Sequence, residues 1–175
     1  ALLTGLCWEA QRDPSTATNR YRQALEIGQT LLRELGDGSP KLAAESLYQL
    51  GSIHQRLSEP LEAARCYHDA ARRDPTARFA LDALTLAAST SAEACQASGT
   101  LVPGDGCTVY AESLDLLLGA HADSDAGKYW RFFRAQLREQ RGNFTGAAED
   151  YALVDPTHEH FLDSRFLHVR ALAKT

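Results

Sequence analysis

Four groups of residues could do chemistry on type and spacing alone. His158-Glu159-His160 offers two imidazoles and a carboxylate, the donor types of a transition-metal site. On a helix, residues two apart point to different faces, and Pro156 just upstream marks a helix start, so the rings read as ordinary polar surface. Glu149-Asp150, Asp123 with Asp125, and Asp13 offer carboxylates of the kind that pair in glycoside hydrolysis. Adjacent acids on a helix diverge, so these read as solvated surface. Asp123-Ser124-Asp125-Ala126-Gly127 begins like a calcium loop but lacks the later bidentate glutamate. It reads as a turn and an N-cap for a helix from Ala126. Cys66 with His54 or His68 has the types of a thiol–imidazole pair, but its helical register makes it a packing residue. Asn143-Phe144-Thr145 matches a glycosylation sequon in a turn where asparagine is favoured anyway. The glycine patterns that cradle phosphates are absent, as are Gly-x-Ser-x-Gly and His-Glu-x-x-His. No nucleophile, base and orienting group converge, so we expect a non-enzyme without cofactor or metal.

The elements that must position these residues are helices. Leu, Ala, Gln, Arg and Glu dominate, and apolar residues recur every three or four positions. Breaks fall at Asp13-Pro14, Gly36 to Pro40, Ser58 to Pro60, Asp74-Pro75, Gly99 to Gly106, Asp123 to Asp125, Gly142-Asn143 and Asp155-Pro156. About eight helices joined by short turns follow, an all-α chain of antiparallel hairpins. Only Cys107 to Tyr110 is locally β-prone, and it runs into a helical pattern.

Composition bounds the role. The chain has 175 residues, 44% hydrophobic and 23% charged, with a net charge of -5. That is enough to bury a core, and it argues against a nucleic-acid phosphate surface. No apolar run is long enough to span a bilayer. The chain starts at Ala1 and contains no methionine, which leads us to expect a processed chain or part of a larger protein. Arginine greatly outnumbers lysine and alanine is abundant, as in proteins from GC-rich bacterial genomes. Cys95 and Cys107 flank the Gly/Pro-rich stretch. They are either a disulfide closing a short loop, which would place the chain in the periplasm or envelope, or two packed thiols in a cytoplasmic protein. Cys7 and Cys66 read as buried helix residues.

An internal repeat is visible in an alanine followed four residues later by tyrosine: Ala17 and Tyr21, Ala63 and Tyr67, Ala147 and Tyr151. Twelve residues before each alanine stands a small residue: Gly5, Gly51 and Ala135. Small residues let helices cross closely, and the aromatic fills the gap. Ala44 to Ala77 resembles a tetratricopeptide repeat almost position for position, through Leu47, Leu50-Gly51, His54, Leu57, Ala63, Tyr67, Ala70 and Pro75. Lys128 to Pro156 resembles another copy, departing at Arg134-Ala135 and Arg138. The long helix after Tyr21 is similar to the longer repeats of kinesin light chain and of many bacterial regulators.

The resemblance implies a right-handed α-solenoid of stacked antiparallel helix hairpins, one repeat domain over 1–175. Its approximate units are 1–40, 41–77, a degraded 78–125 with an insertion at 98–107, 126–156, and a partial 157–175. In that family the inner helix of each hairpin lines a concave groove. By register the groove residues here are Glu45, Tyr48, Ser52, Gln55, Phe79, Asp82, Leu86, Tyr129, Phe132, Gln136 and Glu139. Members that clamp a chaperone tail use Lys, Asn and Arg at these positions, so this sequence departs from that pattern. The aromatic run Tyr129-Trp130-Arg131-Phe132-Phe133 is either a helix packed on both sides or an interface hot spot. The implied function is a non-catalytic scaffold or adaptor binding a partner protein or a peptide with apolar anchors and some basic residues. The alternatives are a sensing domain of a larger bacterial regulator and an envelope assembly factor. An exposed terminal repeat is also a route to self-association.

Overall fold

The structure, a computed structural model, describes residues 14–36, 38–97 and 105–175. These form eight helices: α1 (Pro14–Leu35), α2 (Pro40–Arg56), α3 (Pro60–Arg73), α4 (Ala80–Ala97), α5 (Asp105–Ala120), α6 (Asp125–Gln140), α7 (Phe144–Ala152) and α8 (Phe161–Leu172). No strand occurs among the described residues, so the chain is all-α, and the β-prone Cys107 to Tyr110 lies inside α5. Among the described residues no helix is long and apolar enough to cross a membrane. Cys7, Asp13 and the 98–104 part of the expected insertion lie outside the described residues. The chain divides into two compact units, 1–94 and 95–175, with the boundary inside α4. Each is described by itself.

In the first unit α1 packs on α2 and α2 on α3. Prolines at the first positions of α2 and α3 start both helices, where a missing N–H is harmless. The α1–α2 core joins Ala17 and Tyr21 to Leu50 and Ile53, with Cys66 packed against it. Along α3, Ala63, Ala64, Ala70 and Ala71 are buried, so the helices meet at alanine distance. Gly51 is required there, because a Cβ would sit 2.7 Å from the Tyr67 ring. The α2–α3 turn is a Schellman closure. The Glu59 amide donates to the His54 carbonyl, the Ser58 amide donates to that of Gln55, and Ser58 takes φ +59°.

In the second unit α5 packs on α6, α6 on α7 and α7 on α8. Cys95 and Cys107 form a disulfide, of the two alternatives above. Phe132, Ala135, Ala147, Ala148, Tyr151, Val154 and Ala171 make the core. Ser124 caps α6 by accepting from the Gly127 amide at 3.0 Å, and Asn143 caps α7 by accepting from that of Gly146 at 3.0 Å. The α6–α7 turn repeats the α2–α3 closure, with Gly142 at φ +78° in place of Ser58.

One expectation is corrected here. Asp150 is not solvated surface: it is 2% exposed. Arg134 grips it through Nε at 2.8 Å and Nη2 at 2.6 Å, and Arg138 Nη1 lies 3.0 Å away. Both arginines also reach Asp115 of α5, at 3.3 and 3.2 Å. The diverging-neighbour rule holds, since Glu149 is exposed; it sends Asp150 inward, where two arginines hold it. Those arginines are the two departures from the repeat pattern.

The two units share more than a hairpin. Asp74-Pro75-Thr76 and Asp155-Pro156-Thr157 form the same turn. In each, the aspartate Oδ1 accepts from the threonine amide and hydroxyl, at 3.2 and 2.7 Å and at 2.9 and 2.6 Å. In sequence that register aligns α4 with α8, so that Phe79, Asp82 and Leu86 correspond to His160, Asp163 and Leu167.

Candidate functional site

The buried tyrosines Tyr67 and Tyr151 anchor the site in each unit. Tyr151, fully buried, donates its hydroxyl to Glu139 Oε2 at 3.0 Å. Arg170 of α8 closes on the same carboxylate at 2.9 and 2.8 Å, and Lys174 stands 3.8 Å away. These contacts, the Arg170 hydrogen bonds first, hold the Glu139 carboxyl below the usual carboxylate range. Burial and the Glu139 contact push the Tyr151 hydroxyl well above its ordinary range. Glu139 therefore ties α6 to α7 and α8, and its side chain is only 9% exposed.

Two turns earlier, Phe132 is the floor. It is 3% exposed and packs on the Tyr151 ring at 5.9 Å and under the His160 ring at 4.7 Å with 20° between planes. Above it opens a depression of about 300 Å³ lined by Phe132, Phe133, Gln136, His160, Asp163, Phe166 and Leu167. Its walls are aromatic and aliphatic; Gln136, His160 and Asp163 supply the polar groups. His160 Nδ1 lies 3.3 Å from the Asp163 carboxylate.

A second depression of about 280 Å³ follows along the same helix, lined by Asp125, Lys128, Tyr129, Asp155, Thr157, His158 and Glu159. Three carboxylates face one ammonium there. The Thr157 hydroxyl and amide hold the Asp155 carboxyl below its ordinary range, so its charge persists in mild acid. His158 Nδ1 accepts from the His160 amide at 3.0 Å, which leaves Nε2 to donate to the Tyr129 carbonyl at 3.0 Å. The same ring stacks on Tyr129 at 5.5 Å. His158 and His160 thus brace aromatics instead of facing one ion. Among the described residues no group of three or more His, Cys, Asp or Glu side chains could hold a metal.

The aromatic run distributes itself on two sides of α6. Trp130 meets Tyr110 of α5 at 6.3 Å, Phe132 turns toward α7, and Tyr129 remains 44% exposed. Burial pushes the Tyr110 hydroxyl well above its ordinary range.

In the first unit, three of the expected residues, Tyr48, Ser52 and Gln55, meet at Tyr67, and a fourth, Phe79, packs on Tyr48. Tyr48 packs on Tyr67 at 5.4 Å and on Phe79 at 5.0 Å. The Tyr67 hydroxyl donates to Gln55 Oε1 at 2.7 Å, with Ser52 Oγ 3.1 Å away. Burial raises the Tyr67 pKa. Glu45 and Asp82 are exposed and Leu86 is half-buried. Gln55 also edges a polar depression of about 280 Å³ with Ser58, Pro60, Thr90 and Glu93. Cys66 is partly buried, its thiol pushed up to about 11 by burial and by Asp69 and Glu62 nearby. That is the reverse of what a nucleophile needs.

The sequence reasoning named Phe132 and Gln136 of the 300 Å³ depression and missed His160, Asp163, Phe166 and Leu167. The signal was available: aligning the two Asp-Pro-Thr turns carries Phe79, Asp82 and Leu86 onto three of the four. No family model, no curated protein and no solved structure matches this chain.

Proposed function

We propose that this chain is a helical-hairpin repeat of tetratricopeptide type, stacked as a right-handed solenoid, that recognises a peptide or partner protein without catalysis. The observation that carries the reading is the depression between α6 and α8. It lies at the register position at which α2 and the turn before α4 bring together Tyr48 and Phe79. Its chemistry defines the ligand: an aromatic or branched side chain fits against Phe133, Phe166 and Leu167, and a neighbouring Lys or Arg meets Asp163. The acidic depression beside Tyr129 takes a second cation from the same peptide.

The test is selection from a phage-displayed library of random peptides on the immobilised chain. Enriched peptides should carry an apolar anchor within a few residues of Lys or Arg, and Gln136→Trp, which fills the depression, should abolish their binding while the far-ultraviolet circular dichroism is unchanged. Peptides without that pattern, or binding that survives Gln136→Trp, would sink the reading. A second reading, an envelope assembly factor, is favoured by the Cys95–Cys107 disulfide. Thiol labelling of the chain taken from its source before any reduction checks it: labelling at both cysteines excludes it.

A further inference from the structure

Helix α8 carries a second apolar surface that its own unit leaves open. Leu162, Phe166, Val169 and Leu172 are 81, 69, 65 and 51% exposed. Their spacing of four, three and three places them on one stripe, opposite Ser164 and Ala171, which are fully buried. The aligned face of α4 carries Leu81, Thr85, Ala88 and Ser91, of which the last two are fully buried. The second copy thus places larger apolar groups on a face that its counterpart buries.

The charges beside the stripe say what covers it. Going round the helix, Asp163 and Arg170 fall on the same flank, Asp163 in the first turn and Arg170 in the last, with Lys174 just beyond. Two copies of α8 related by a two-fold axis and run antiparallel bring this flank of one against the same flank of the other. The acidic first turn of each then faces the basic last turn of its partner, where Arg170 and Lys174 stay about half exposed while they meet Glu139 of their own copy, and Phe166 of one interdigitates with Val169 of the other. The stripe and flank are therefore complementary to themselves. Run parallel about a two-fold axis, the two flanks would fall on opposite sides of the interface, and the exchange of Asp163 with Arg170 would be lost. We propose that α8 is a self-association surface through which two copies of this chain pair antiparallel.

This pairing does not rest on the peptide-binding reading, and Leu162 and Val169 do not line the depression. The experiment is sedimentation velocity of the intact chain from about 1 to about 100 µM, the range in which a modest interface shows its midpoint. The expected result is a monomer–dimer equilibrium. Leu162→Glu with Val169→Glu should raise the dimer dissociation constant at least about tenfold with unchanged circular dichroism. Both sites are exposed, so the fold does not need them. Asp163→Lys should weaken pairing several-fold, roughly as an exposed charge pair allows, and adding Lys174→Asp should restore it. A monomer at every concentration overturns the proposal. So does growth beyond a dimer, which would mark a head-to-tail contact, or a dimer indifferent to the double glutamate variant. A dimer that weakens with the glutamates but ignores the charge exchange overturns the antiparallel arrangement.

Discussion

The hairpins α2–α3 and α6–α7 have one frame and two chemistries. Each crosses at a small residue, Gly51 or Ala135, over a fully buried tyrosine, Tyr67 or Tyr151. Each turns through the same hydrogen bonds and hands the chain to an Asp-Pro-Thr turn. The seam toward the preceding helix differs. In the first hairpin Leu50 packs with Ala17 and Tyr21 of α1, and Cys66 lies against them. At the matching positions of the second stand Arg134 and Asp150, joined by Arg138 and reaching Asp115 of α5. The tyrosine hydroxyl follows suit: it meets a neutral Gln55 in one and the charged Glu139 in the other. A repeat frame fixes where helices cross and leaves open whether the seam is apolar or ionic, provided that both sides change together.

The largest break in this comparison is Asp150→Ala. It leaves two arginines in the seam without their buried carboxylate, and unfolding by urea should show a loss of about 3–5 kcal/mol. Cys66→Ala, at the matching site, should lose about 1 kcal/mol, since it removes one small half-buried group. If the two losses are equal, the ionic seam is not holding the second unit.

Gly51→Ala comes next. Its methyl would meet the Tyr67 ring, and thermal unfolding should show a loss of about 1–3 kcal/mol, whereas the second hairpin carries alanine there as its native residue. A stabilised variant would refute the close crossing.

Tyr151→Phe should then cost about 2 kcal/mol, as loss of a hydrogen bond to a charged group, against about 1 for Tyr67→Phe. The same contrast has a pH signature. The folded-state pKa of Glu139 is depressed, so its contribution is present above the ordinary carboxylate pKa and fades as pH falls through the lower folded value. Stability measured from pH 6 downward should fall less steeply in Glu139→Gln than in the native chain; an unchanged slope would show that the Arg170 pair is not linked to folding.

The smallest effect is Ser58→Gly. Ser58 sits at the positive φ that Gly142 occupies in the second turn, so glycine there should stabilise by about 0.5–1 kcal/mol. Gly142→Ala should destabilise by a similar amount.

Much of the frame was legible in residue types. Helix content, the turns at proline and glycine, a cap in the Asp123–Asp125 turn (Ser124, for a helix that starts one residue before the expected Ala126), and the Ala/Gly/Tyr crossing positions follow from local propensity and from volume, which a single sequence carries. The groove register named Tyr48, Ser52, Gln55 and Phe79; the first three touch Tyr67, and Phe79 packs on Tyr48. The depression of the second unit is only half legible, because His160 reads as polar surface at a helix start and Asp163 belongs to no motif. Histidine in an aromatic slot does not look like phenylalanine until the Phe132 ring is beneath it. Asp150 was misread for a related reason: an acid beside an acid looks solvated until the arginines sixteen and twelve residues away are known to turn toward it.

By itself, then, the sequence determined helices, their ends and the spacing at which they cross, since these depend on neighbours within about one turn and on side-chain size. Only the tertiary structure decided which charges are buried in pairs, which of Cys95 and Cys107's two states holds, and that the α8 stripe faces solvent. Those outcomes depend on which groups distant in sequence come within a few ångströms, where desolvation and pairing are settled together.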